Sequence, residues 1–260
     1  MFSVSTSIVA LSFVIIWAAS FLFAMLGLGG GMVYVPVMKW LGFDLKSVAI
    51  PLGLLLNGLN TALAMIPYHK AKLIDYKGAL PFALAAIIGA PFGAYTVQFI
   101  PTRIVLILFI TAVLIAAFRV FVSTKAPDED NLIEFKKRLI YGGISGLLIG
   151  FVGGMLGIGG GFLAAPILMS MGYNAKRAAA TTAYIVTFSS ASGFLGHVAE
   201  GHFDPLLTAV LVVAVLLGSQ LGARFTVKKA KSKTIKKIYV IILLLIAIKL
   251  TLGLFGVRFR

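Results

Sequence analysis

Long apolar runs separated by short polar stretches dominate the chain. Runs long enough for a helix to cross a bilayer lie at about 7–27, 46–67, 78–100, 102–122, 139–157, 177–197, 205–224 and 238–256. A hydrocarbon core about 30 Å thick needs roughly 20 helical residues. None of these runs alternates like a strand, so the pattern predicts helices rather than a barrel. Two shorter apolar segments, 31–41 and 161–171, each follow a cluster of glycines. At 1.5 Å per residue, each reaches only about 16 Å, half a membrane. The pattern predicts an all-α integral membrane protein of about eight transmembrane helices and two glycine-broken re-entrant arms.

Composition supports this reading. Sixty per cent of residues are hydrophobic and 12% are charged, with a mean hydropathy of +1.05. Soluble domains carry about 25% charged residues. An exterior this apolar must face lipid. The net charge of +15 could suit nucleic acid, but the cations occupy short loops between apolar runs, where the positive-inside bias puts them. No nucleic-acid partner is expected. The densest group, Lys228, Lys229, Lys231, Lys233, Lys236 and Lys237, makes 224–237 a cytoplasmic loop facing anionic headgroups. The absence of cysteine excludes disulfides, thiolate metal sites and cysteine nucleophiles. Residues 1–7 hold no Lys or Arg and no clear cleavage site follows, so the first run is expected to be a span rather than a signal peptide.

The sequence also repeats. Gly27-Leu28-Gly29-Gly30-Gly31, ending at Pro36, matches Gly157-Ile158-Gly159-Gly160-Gly161, ending at Pro166, at an offset of 130. Gly42 and Lys46 match Gly172 and Lys176. Ile88–Ala94 matches Leu217–Ala223 at an offset of 129. Residues 1–122 and 138–260 thus form two membrane repeats. The polar linker 123–137, with Pro127, Asp128, Glu129 and Asp130, joins them.

The paired Gly-x-Gly-Gly-Gly-x-x-x-x-Pro segments resemble the TauE/SafE family of sulfite-exporter-like permeases, over essentially the whole chain. The Ala178–Thr182 run is similar to that family's segment after the second motif, whereas the first half departs from it with Ala49-Ile50-Pro51-Leu52. The resemblance implies transport of sulfite, sulfonates or related organic anions, with eight predicted spans.

Parity decides the relation between the halves. Four spans per half give parallel repeats, and five segments per half, counting each arm, give inverted ones. With eight spans, Lys and Arg divide almost evenly between the faces. With ten segments, they gather strongly on the face of loops 66–77, 119–138, 172–177 and 224–237. The positive-inside rule therefore favours inverted repeats.

Three adjacent glycines break a helix, and inside a membrane a break is tolerated only where it is buried in protein or lines a cavity. A helix resuming at Met32 or Phe162 presents N–H groups and its positive dipole end, a site for an anion. Gly29, Gly30, Gly31 and Met32, with Gly159, Gly160, Gly161 and Phe162, are the candidate substrate-binding residues. The rival reading is close helix packing, which suits Gly89 with Gly93 and Gly218 with Gly222 better. Polar side chains follow each arm: Asn57, Asn60 and Thr61 in one half, and Thr181, Thr182, Tyr184, Thr187, Ser189, Ser190 and Ser192 in the other. At an offset of 130, Asn57 matches Thr187 and Asn60 matches Ser190. Asn57, Asn60, Thr181, Thr182 and Thr187 are candidates to donate to oxyanion oxygens, with interhelical hydrogen bonding as the alternative.

Arg119 and Lys249 also match at 130, and they read as snorkelling cations first and anion attractors second. His197, Glu200, His202 and Asp204 share one loop, read as polar and external, with metal binding or pH sensing as alternatives. No catalytic residue, metal site, cofactor or nucleotide motif is recognised, so flux would be facilitated or coupled to an ion gradient. The expectation is a secondary transporter of small sulfur oxyanions in the cell membrane. Its partners are the anion and lipid, with a coupling ion and homo-oligomerisation left open. An anion channel or a carrier of another solute is the alternative. An intramembrane enzyme or assembly factor is disfavoured by spans without Asp or Glu.

Overall fold

A computed structural model describes residues 6–122, 129–199 and 201–228, with isolated positions between Ile241 and Leu252. The regular elements among them are helices, and no strand occurs among the described residues. The order is α1 (Thr6–Leu26), α2 (Gly31–Trp40), α3 (Ile50–Lys70), α4 (Tyr76–Phe99), α5 (Thr102–Val122), α6 (Phe135–Leu156), α7 (Gly161–Ser170), α8 (Ala175–His197) and α9 (Pro205–Lys228). The same succession runs twice: a long helix, a glycine break, a ten-residue helix, then long helices.

Five of the apolar runs form helices long and apolar enough to cross a membrane: Val9–Leu26, Leu45–Lys70, Tyr76–Phe99, Phe135–Leu156 and Pro205–Lys228. The eight expected from sequence are not all of this kind. At 23 residues α8 is long enough, but its hydroxyl side chains lower its hydropathy, and the α8 residues Thr181, Thr182, Ser189 and Ser190 are buried inside protein. α5 is 21 residues long and apolar over Thr102–Ile115. The run at 238–256, the cluster Lys229–Lys237, Lys125, Glu200, Lys249 and the Arg119 side chain lie outside the described residues.

The exterior is as apolar as the core. Asn57, Asn60, Thr61, Ser189 and Ser190 are buried within an otherwise apolar interior, while Ile88, Phe92 and Phe99 of α4 and Ile144 and Leu148 of α6 are exposed. Large apolar side chains on the outer faces of α4 and α6 suit a lipid exterior.

Helices of one half pack against those of the other: α4 on α6, α1 on α9, and α3 on α8 through the middle. Glycines allow this. A Cβ on Gly89 or Gly93 would lie 2.4 or 2.0 Å from Leu147 O or Phe151 O, and one on Gly218 or Gly222 would lie 2.5 or 2.0 Å from Trp17 O or Phe21 O. These four glycines serve close backbone packing, the reading favoured for them from sequence.

Hydrogen bonds sort the loops into two groups. His202 N donates to Ser47 O at 2.7 Å and Lys46 Nζ to Gln98 O at 3.0 Å, gathering the loops before α3, after α4 and before α9. Asn131 N donates to Gly172 O at 2.8 Å and Arg138 to Asp75 at 2.9 Å, gathering the loops before α4, α6 and α8.

A π-helical turn, Leu45–Ala49, opens α3, with Ala49 N donating to Asp44 O at 2.9 Å. Such a turn holds one residue more than an α-turn. Asp44 caps it and Asn174 caps α8, still 130 apart. Beyond the extra residue the offset is 129, which corrects the pairing read from sequence: Asn57 matches Val186, not Thr187, and Asn60 matches Ser189, not Ser190.

Candidate functional site

The two glycine breaks meet at the centre of the molecule. Gly27 and Gly29 in one, and Gly157, Gly159 and Gly160 in the other, have positive φ, between 64° and 78°, where a side chain is strained. All residues from Gly27 to Met32 and from Gly157 to Phe162 are buried. A Cβ on Gly31 would lie 2.7 Å from both Gly157 O and Ile158 Cα, and one on Gly161 would lie 2.5 Å from Leu28 O. Each arm therefore begins with its backbone against the other break. Asn57, near the middle of the 26-residue span Leu45–Lys70, touches both breaks, which puts them near half depth.

Gly30 and Gly160 have other neighbours. A Cβ on Gly30 would strike the Tyr34 ring of its own arm, and one on Gly160 would lie 2.4 Å from Ile149 O. Met32 and Phe162 are 3% and 1% exposed and join the apolar core.

Asn57 links the pieces. Its Oδ1 accepts from Gly31 N at 2.7 Å, and its Nδ2 donates to Ser190 Oγ at 2.8 Å and Ile158 O at 3.3 Å. One carboxamide thus joins α3, α8, the start of α2 and the second break. The first N–H of α2, expected to be open to a ligand, is capped from within. At α7 the matching helix position is Val186, which has no polar atom to offer the Gly161 N–H, so the Asn57 cap has no counterpart there.

Asn60 belongs to a neighbouring chain of hydrogen bonds. Its Nδ2 donates to Tyr34 OH at 3.0 Å; Tyr34 OH lies 2.6 Å from Ser20 Oγ, which donates to Ile16 O. Asn60 Oδ1, Thr182 Oγ1 and Ser189 Oγ have no partner, although all three residues are 0% exposed. Thr182 lies one helical turn from Ala179, whose backbone packs on Gly27, and one from Val186, whose side chain faces Gly159. It therefore stands on the face of α8 turned to both breaks.

Thr187 and Thr181 stand apart from the breaks. Thr187 Oγ1 donates to Ala183 O at 2.7 Å and meets Thr61 Oγ1 at 2.9 Å, stitching α8 to α3. Thr181 Oγ1 accepts from Asp75 N at 3.2 Å, near the loops before α4 and α8. His197 was expected in a polar external loop but is the buried last residue of α8, its Nε2 pairing with Gly154 O at 3.1 Å, and in the loop that follows Asp204 caps α9 through Leu207 N at 2.7 Å.

Sequence reasoning missed a polar cluster at the other loop group. Asp75 Oδ2 accepts from Arg138 Nη1 at 2.9 Å and Tyr173 OH at 2.8 Å, with Arg177 Nη2 at 3.9 Å; Arg177 also pairs with Asp130. Burial pulls the Asp75 carboxyl upward, but the Gly78 N–H, the Tyr173 hydroxyl and the charges of Arg177 and Arg138 outweigh it and hold its pKa below the ordinary value. The Tyr173 hydroxyl is pushed up to about 12, chiefly by burial and then by its bond to Asp75. These residues are far apart in sequence, and only the excess of cations in 119–138 and 172–177 hinted at them.

An all-helical, multi-pass body with apposed helix breaks at its centre is the build of a membrane transporter. A family model described as Sulfite exporter TauE/SafE matches residues 12–250, and the chain belongs to this family. The probable membrane transporter protein YunE of Bacillus subtilis is 30% identical over 87% of this chain and 91% of its own length. A probable membrane transporter protein of Methanocaldococcus jannaschii is 22% identical over 79% and 81%. Sulfite exporter TauE/SafE family protein 1 of Arabidopsis thaliana is 28% identical over 43% of this chain and 24% of its own length. No solved structure matches.

Proposed function

We propose that this chain is a secondary transporter of small sulfur oxyanions, sulfite or organosulfonates, built from two inverted repeats. The substrate would sit where the two arms begin. One observation carries the reading: two ten-residue helices start backbone against backbone at mid-depth, through Gly31 on Ile158 and Gly161 on Leu28. Each start carries about half a positive charge. Bringing two such ends together in a dry interior is costly unless an anion or a dipole lies between them. The family's name, Sulfite exporter, supplies the substrate class and points to export.

Loop grouping favours inversion. The loop after α2 lies with those at Gln98 and His202, whereas the loop after α7 lies with those at Asp75 and Asn131. The two arms therefore leave the centre towards opposite faces. The second group carries Lys70, Lys72, Lys136, Lys137, Arg138, Lys176 and Arg177, and the positive-inside rule makes it cytoplasmic. Rocking of one half against the other would then alternate access.

The test is uptake of labelled sulfite by proteoliposomes, with sulfoacetate, taurine, thiosulfate and sulfate as competitors. Saturable flux, competed by one or more sulfonates, is expected. Folded protein that carries none of these would remove the functional reading.

A further inference from the structure

We infer that Asn57 is an internal stand-in for the transported anion, a positioning residue that lets the carrier close without cargo. The inference rests on the oxyanion reading above and adds how the site resets.

The two arms are unequal. At the first, the Asn57 carboxamide oxygen accepts from Gly31 N at 2.7 Å, where an oxyanion's oxygen would be bound. Its amide hydrogens hold Ser190 Oγ and Ile158 O at 2.8 and 3.3 Å. The side chain thus satisfies the positive start of one arm and fastens it to the other break. At the second arm the matching residue is Val186, which has no polar atom, so the Asn57 cap has no counterpart there. A second observation marks this as a place for a ligand. Thr182 Oγ1 is wholly buried, has no partner, and stands on the α8 face that meets Gly27 and Gly159. A buried hydroxyl left unpaired is costly; an oxyanion beside it would accept its hydrogen bond.

The arrangement assigns two roles. An entering oxyanion binds at the Gly161 end, which carries no such cap, with the Thr182 hydroxyl donating to it. A further oxygen displaces Asn57 Oδ1 from Gly31. When the anion leaves, Asn57 returns and neutralises the Gly31 end, so the two breaks can close again. A carrier without such a group would bind its anion well but return without cargo slowly.

Proteoliposomes with purified full-length protein test this by comparing net sulfite efflux with sulfite–sulfite exchange. For Asn57→Ala, KM for sulfite should fall and the ratio of net to exchange flux should drop about tenfold, because the competing cap and its reset are both gone. For Val186→Asn, which places the same amide at the second arm, KM should rise about tenfold. If Asn57→Ala does not fold, the Val186→Asn result decides. Net and exchange flux falling together in Asn57→Ala with KM unchanged, or an unmoved KM in Val186→Asn, would overturn the assignment while leaving oxyanion transport standing. Absence of sulfonate or sulfite flux in the wild type would overturn both.

Discussion

A single added methyl group distinguishes the glycines that matter at the centre. Gly31 and Gly161 have no positive φ, so alanine suits their backbone, yet its Cβ would press the opposing break at 2.7 and 2.5 Å. Gly31→Ala or Gly161→Ala should destabilise by about 1–3 kcal/mol through overpacking, read as a lower thermal midpoint in detergent. Gly143, whose added Cβ meets nothing within 4 Å, is the control and should show little change on conversion to alanine. Sequence alone made all six glycines of 29–31 and 159–161 look equivalent. The local conformation divides them: Gly30 and Gly160 face Tyr34 and Ile149, and only Gly31 and Gly161 face across. Asn57 was legible as a polar residue in an apolar run, but its reach to both arms was not. That contact depends on register, and the π-turn at Leu45–Ala49 shifts the register by one residue, marked in the sequence only by the later change of repeat offset from 130 to 129.

Among the elements, the two ends of the bundle are fastened differently. Asp75 and Asp204, 129 residues apart, both cap the helix that follows them. Of these two aspartates, only Asp75 forms ion pairs among the described residues, with Arg138 and Arg177. These join the starts of α4, α6 and α8 into one polar clasp. Since the folded-state pKa of Asp75 is depressed, its stabilisation is present above the ordinary carboxylate value and is lost as pH falls through the lower folded one. The midpoint difference between wild type and Asp75→Asn should be full at neutral pH and shrink below about pH 4. A gap that stays constant to acid pH would show that the aspartate's charge is not what holds the clasp. The helices themselves were readable from sequence, since both arms fall within one residue of the spans expected, 31–41 and 161–171. The clasp was not, because Asp75 and its partners are brought together only by the packing of α4 on α6 and α8.

At the scale of the whole molecule, inversion makes a prediction that labelling can read. The chain has no native cysteine, so single substitutions report alone. Cysteine placed at Lys70 or Lys137 should react with impermeant maleimide from the cytoplasmic side only, and cysteine at Arg103 or His202 from the opposite side only. All four positions are exposed. Reaction of Lys70→Cys and Arg103→Cys from one side would restore the parallel arrangement. Apolar run lengths made the multi-pass helical build legible. The exchange of partners between halves was hidden, because α1 on α9 and α4 on α6 are contacts of residues far apart in the chain.

The central claim is that the paired breaks hold the transported oxyanion. The most direct measurement is sulfite flux in proteoliposomes for wild type, Gly31→Val, Gly161→Val and the control Gly143→Val, each confirmed to be folded. The account predicts saturable wild-type flux, retained in the Gly143 variant and reduced at least about tenfold in both break variants. Undiminished flux in the Gly31 and Gly161 variants would contradict it and move the substrate path away from the arms.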